Sequence, residues 1–186
     1  GAAKAKANLP SHAELEQIRE GYRKVIADFP KTPAAAEAAL YIGASFIAEI
    51  ETRYVDEGVA HLRKWIAENP ESEYRSAAWG QIGGACEIQQ KWKEWLDATI
   101  NSYELNPEPA ADHVSSLYRI AQLAEKKVGD KQTAIKYYRL VLKDYPTDYR
   151  IFWCKRALKR LEGVADGAES DSLAEAPPLP PEEIAP

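Results

Sequence analysis

Four times along the chain a segment with helical apolar spacing runs into a proline: at Asp28-Phe29-Pro30, Glu68-Asn69-Pro70, Leu105-Asn106-Pro107 and Asp144-Tyr145-Pro146. Proline has no amide to donate and pushes the residue before it out of the helical region, so each of these triplets stops a helix. The stops fall 40, 37 and 39 residues apart. A near-constant interval in the range of 20–50 residues, with room for two helices in each, is the signature of a stacked array in which every unit packs on its neighbours. No segment shows the alternation of a strand. The spacing therefore predicts an all-α chain of about eight helices, near 11–28, 33–52, 56–68, 72–90, 92–105, 110–127, 130–144 and 147–162.

Local signals agree with that frame. Ser11 followed by Glu14 forms a capping-box pattern ahead of Leu15, Ile18, Tyr22, Val25 and Ile26. Thr32-Pro33 opens the next helix, whose alanines allow close helix–helix approach. The clearest copy is Gly129–Pro146, where Asp130 caps a helix bearing Ala134, Tyr138 and Val141, with Lys143 in the last turn. Residues 1–10 read as a flexible lead-in, 11–163 as the helical repeat domain, and 164–186 as an acidic, proline-rich disordered tail. Helix 147–162 reads as a polar cap in which Arg150, Lys155, Arg156, Lys159 and Arg160 are solvated, with a basic docking patch for an acidic partner, or for the chain's own acidic tail, as the alternative.

Charge and composition exclude several functions. Residues 1–163 hold 24 bases and 23 acids, a near-neutral balance without the basic stripe that nucleic acid requires. The six remaining acids lie in the tail, which has no base and contains Pro177-Pro178-Leu179-Pro180-Pro181. Cys86 and Cys154 are not metal-spaced and read as buried thiols, with a disulfide or redox role as the alternative. No apolar run approaches the roughly 20 residues of a membrane span. There is no Met at position 1 or elsewhere, so Gly1 is expected to follow a processing event or an artificial boundary. His12, His61 and His113 stand in separate segments, with no metalloprotease motif, nucleophile elbow or phosphate loop. Glu14, Glu16 and Glu20 read as solvated charges. No catalytic residue, metal ligand or cofactor is assigned.

The residues also carry a resemblance. Leu117, Ile120 and Ala121, followed by Gly129-Asp130, Ala134, Tyr138, Val141 and Pro146, resemble the small-and-large pattern of a tetratricopeptide repeat with one extra residue between its helices. Residues 76–109 resemble it without a gap through Trp79, Ile82, Gly83, Cys86 and Pro107. Ala39, Ile42, Gly43 and Phe46, then Gly58, Leu62, Trp65 and Pro70, give a looser copy with a three-residue insertion. Trp95, where the family prefers Ala, departs from the pattern. The phrase YRKVIADFPKTPAAAEAALYIG at 22–43 is similar to tetratricopeptide proteins of the bacterial cell envelope, which favours a periplasmic or envelope location over the cytoplasm.

This resemblance implies a right-handed α-solenoid of antiparallel helix pairs, with Gly43, Gly83 and Ala121 where the helices of a pair cross. It implies an inner groove lined by the first helix of each pair: Glu37, Leu40, Ala44 and Ile47; Ala77, Gly80, Gly84 and Glu87; Ser115, Tyr118, Gln122 and Glu125. The expected function is a non-enzymatic scaffold holding a partner peptide or helix in that groove. The alternative is a structural subunit built permanently into a larger complex. The membrane would be reached only indirectly, through a partner or a removed N-terminal anchor. Glycines at 80, 83 and 84 cost about 0.5–1 kcal/mol each relative to Ala. They serve either the crossing and a crowded turn within the chain, or the close approach of a partner.

Overall fold

A computed structural model of the protein describes residues 10–49, 51–105 and 113–163, and among them there are eight α-helices and no strand. They are α1 (His12–Asp28), α2 (Pro33–Ile47), α3 (Thr52–Glu68), α4 (Arg75–Ile88), α5 (Trp92–Glu104), α6 (His113–Leu123), α7 (Lys131–Asp144) and α8 (Ile151–Glu162). The all-α expectation is met. The lead-in, the helix stop at Pro107 and the tail lie outside the described residues, save Pro10. The chain divides into two compact units, one ending at Lys91 and one beginning at Trp92.

In the first unit, α1 starts on the expected box: the Glu14 amide donates to Ser11 Oγ at 3.3 Å, and the Ser11 amide donates to Glu14 Oε2 at 2.7 Å. Thr32 Oγ1 accepts from the Ala35 amide at 3.2 Å, with Pro33 in the first turn, where its missing amide costs nothing. The helices α2 and α3 cross where two glycines meet. A Cβ on Gly43 would stand 2.6 Å from Leu62, and one on Gly58 would stand 2.9 Å from the Gly43 carbonyl oxygen. Around that crossing lie Ile42, Phe46 and Tyr54, with Tyr22 and Ile26 of α1 against them. The helix α3 begins at Thr52 rather than at 56, because Tyr54 and Val55 are buried and extend the apolar stripe of Leu62, Trp65 and Ile66 backwards.

The apolar face of α1 is rotated from the expected one. Ile18 is 50% exposed, while Arg19 is fully buried and is the one buried residue of that helix. Its Nε donates to Ser45 Oγ at 2.8 Å, its other nitrogens reach Glu16 and Glu49, and its guanidinium lies 3.7 Å from the Phe46 ring centroid. Glu16 is thus not simply a solvated charge, since it pairs with Arg19 and with Arg23 at 2.7 Å.

In the second unit Trp95 is buried with Leu96 and Ala98, so the departure at Trp95 leaves α5 intact. The helices α6 and α7 form the pair at the centre of this unit, through Leu117, Ile120 and Ala121 against Ala134, Tyr137, Tyr138 and Val141. The extra residue between their patterns is taken up within the chain of α6, which widens into a π-helical turn over Ala124–Val128 before Gly129 breaks away at φ 75°. Asp130 caps α7, accepting from the Thr133 amide at 3.1 Å. The helix α8 starts at Ile151 rather than at 147, because Asp148 Oδ1 accepts the Arg150 amide at 2.8 Å and holds the preceding residues in a turn.

In this unit the fold opposes the ionisation of several groups, two phenols and a thiol above all. Burial, then the nearby Glu104, pushes the Tyr137 phenol up to about 12. Burial and the Glu125 carboxylate push Tyr138 upward, and burial pushes the Cys154 thiol up to about 12. Each is an acid held protonated in the fold, so its contribution is complete below the unfolded values of about 8.5 for the thiol and 10 for the phenols, and is lost as pH rises toward the folded values. The melting temperature should therefore fall between about pH 9 and 12, with the phenolate absorbance of Tyr137 and Tyr138 appearing only on unfolding. Ionisation of all ten tyrosines in the folded protein would refute this. Cys86 and Cys154 are buried and form no disulfide with each other, as expected for core thiols.

Candidate functional site

The residues assigned to the inner face separate into two groups. In the first unit, α2 and α4 touch each other and present Glu37, Leu40 and Ala44 on one side and Ala77, Gly80, Gly84 and Glu87 on the other. Glu37, Ala77, Gly80 and Glu87 are exposed, and Leu40, Ala44 and Gly84 are half-buried. All seven are thus accessible in a single unit. Two large apolar side chains share the same helical arcs: Tyr41, four residues after Glu37, is 56% exposed, and Ile88, four after Gly84, is 52% exposed. The ring of Tyr41 stacks on Tyr22 of α1 at 5.3 Å between centroids. The sequence reading missed both. A count of surface-facing apolar residues at 100° per residue around Ala44 and Gly84 would have found them.

The glycines of this strip do not share one cause. Gly83 is buried, as a crossing residue should be. A Cβ on Gly84 would meet nothing within 4 Å, so no crowded turn within the chain requires glycine there. Substituting Gly84→Ala should stabilise the protein by up to about 1 kcal/mol, the helix-propensity difference between the two residues. Urea unfolding tests this, and a loss of stability would mean that the site is sterically closed.

Beside the N-terminal end of α2 a cavity of about 650 Å³ opens, with Pro33, Ala36, Trp65, Pro70 and Tyr74 among its walls. Burial raises the Tyr74 phenol above its usual value, with the Glu37 carboxylate as the next cause. The cavity depends on the loop between α3 and α4, which helical periodicity does not describe.

The second unit treats its assigned residues differently. Tyr118 and Gln122 are buried, 2% and 1% exposed, and Tyr118 packs edge-to-face on Tyr138 of α7 at 6.0 Å. Their surfaces are covered by the chain itself, so as folded they offer nothing to a partner. The flanking positions are engaged as well. Ser115 Oγ accepts from Arg150 at 2.9 Å, and Glu125 accepts from the Tyr138 hydroxyl at 2.8 Å and from Arg160 Nε at 3.0 Å. The solvated reading of Arg150 and Arg160 is therefore corrected. Arg150 is buried against Asp148, and Arg160 is ion-paired, whereas Lys155, Arg156 and Lys159 remain exposed.

The histidines occupy structural positions. His12 Nδ1 lies 2.7 Å from Glu49 and its ring stacks on Tyr54 at 4.3 Å, while His61 Nε2 lies 3.1 Å from the Ala39 carbonyl oxygen. Burial lowers the pKa of His61. His113 is buried beside Tyr103. Among the described residues no group of His, Cys, Asp and Glu could hold a metal ion, and no helix is long and apolar enough to cross a membrane.

Residues 115–148 match the family model described as tetratricopeptide repeat, which takes in α6 from Ser115 onward, its π turn and α7. With eight helices and no strand among the described residues, this match puts the chain in the all-α helical-repeat class. No curated protein and no solved structure matches the chain.

Proposed function

We propose, from the premise that 115–148 is a tetratricopeptide repeat and that such repeats generally serve as non-catalytic protein-binding modules, that this chain is a protein–protein interaction scaffold and not an enzyme. Its partner, an extended peptide or a helix, lies along the strip of Glu37, Leu40, Tyr41 and Ala44 on α2 and Ala77, Gly80, Gly84 and Glu87 on α4. The observation that carries this reading is Gly84, which has a helix-weakening residue with open space above it and no packing reason for it. Small residues there let a partner backbone approach. Tyr41 and Ile88 supply apolar anchors, and Glu37 and Glu87 favour a partner with cationic side chains at its flanks. We place the assembly in a bacterial cell envelope on the resemblance of residues 22–43 alone.

The test uses photo-crosslinking amino acids at Tyr41 and at Ala77 in the producing cells. Both positions should capture the same protein, and Gly80→Leu with Gly84→Leu should weaken that capture by at least about tenfold, equivalent to 1.4 kcal/mol. The helical circular dichroism of the variant should not change. Capture that survives the two leucines, or that is equally strong from Lys64 on the exposed side of α3, would rule out the strip.

A further inference from the structure

The solvent face of α8 carries an unexplained combination. The helix buries Cys154, Ala157 and Leu158. On its opposite side Phe152, Lys155, Arg156 and Lys159 stand at helical spacing, and the three cations are exposed. Two neighbouring cations are matched within the unit, Arg160 by Glu125 and Arg139 by Glu162 at 2.8 Å. No described carboxylate pairs with Lys155, Arg156 or Lys159. Arg156 instead lies over two half-buried rings, 5.8 Å from the centroid of Phe152 and 5.6 Å from that of Trp153, which meet edge-to-face at 5.0 Å. The Trp153 Nε1–H is shielded from water and has no acceptor among the described residues.

We propose that this face is covered by the chain's own residues 164–186, which run back along α8 from Gly163. Three observations support this occupant. The first is charge: the segment holds six acids and no base, opposite three unmatched cations. The second is chemistry: the Pro177–Pro181 run has the rigid, extended rings that dock on aromatic surfaces such as the half-buried Phe152 and Trp153. The third is reach. The chain leaves α8 at Gly163 in a left-handed turn with φ 71°, which ends the helix. Back along the helix from Gly163 to Phe152 is about 17 Å at 1.5 Å per residue. The linker from Gly163 to Pro177 has a root-mean-square reach of about 20 Å if flexible, close to the match at which an intramolecular contact has its highest effective concentration.

The experiment is paramagnetic relaxation in the full chain, with a nitroxide on Ala176→Cys. Cys86 and Cys154 are buried, which keeps the label off them. At low salt the Trp153 indole and the amides of Lys155, Arg156 and Lys159 should lose intensity, independently of protein concentration. The loss should vanish in Lys155→Glu/Arg156→Glu/Lys159→Glu, and it should weaken at about 1 M salt, where the screening length falls to about 3 Å. Undiminished α8 signals would overturn the proposal. So would broadening that grows with concentration, which would point to a second copy, or broadening that persists in the triple variant.

Discussion

Replacing Arg19 by methionine is expected to destabilise the protein by about 3–5 kcal/mol, because the substitution removes one member of a buried ion pair and leaves the other behind. The side chain of Arg19 is 0% exposed and that of Glu49 is 8% exposed, so Glu49 would keep only the half-exposed His12 ring beside its carboxylate. Ser45 would lose a donor and Phe46 the cation over its ring. Arg19 is also the one buried residue of α1, so amide exchange should accelerate in α1 more than in α3 or α4. A second substitution separates the causes. In Arg19→Met/Glu49→Met the uncompensated carboxylate is gone, and most of the lost stability should return, since well-packed apolar replacements of buried ion pairs are often neutral or better. Urea unfolding of the single and double variants measures this. A double variant no more stable than Arg19→Met would mean that packing and not charge dominates.

The second large effect is expected at the crossing of α2 and α3. A methyl group on Gly43 would stand 2.6 Å from two carbons of Leu62, which is 0% exposed. Overpacking of this kind costs about 1–3 kcal/mol, against which the better helix propensity of alanine returns up to about 1. Leu62→Ala alone leaves a cavity and should cost about 2–5 kcal/mol. Combined, the two changes relieve each other, since the new methyl enters part of the vacated volume. Gly43→Ala/Leu62→Ala should therefore be more stable than the sum of the single changes by about 1 kcal/mol or more. Strict additivity would show that the helices shift apart and do not collide at this point. Gly43→Ala and Gly84→Ala are the same chemical change on the first helix of successive pairs, with opposite expected signs.

The fold was legible wherever one residue carries a local rule. Ser11 with Glu14, Thr32-Pro33 and Asp130 each announced a helix start by chemistry that needs no distant partner, and the starts stand where expected. Boundaries set by tertiary burial were less legible. Thr52–Val55 joined α3 because Tyr54 and Val55 found a core to enter, which no local signal records. Arg19 shows the same limit more sharply. Its position between Leu15 and Tyr22 puts it on the stripe, but an arginine reads as surface unless Glu49, thirty residues away, is known to meet it. At the candidate site the family spacing located accessible residues on α2 and α4. It failed at Tyr118 and Gln122, since it counts positions on one helix and takes no account of which side chains the neighbouring elements place over them. The two exposed anchors Tyr41 and Ile88 were passed over because the pattern ranks slots and not side-chain size.

The π turn at Ala124–Val128 separates two properties that are usually tied together, the number of residues in a repeat and the placing of its second helix. An insertion in a regular helix would rotate everything after it by about 100°. Here one turn widens, Asp130 still donates its amide back to the Ala124 carbonyl at 2.8 Å, and Ala134, Tyr138 and Val141 keep their inward face. The segment behaves as a slip joint. Deleting one residue between Ala121 and Asp130 is accordingly expected to narrow that single turn and to leave unchanged the surface that α7 gives to its neighbours.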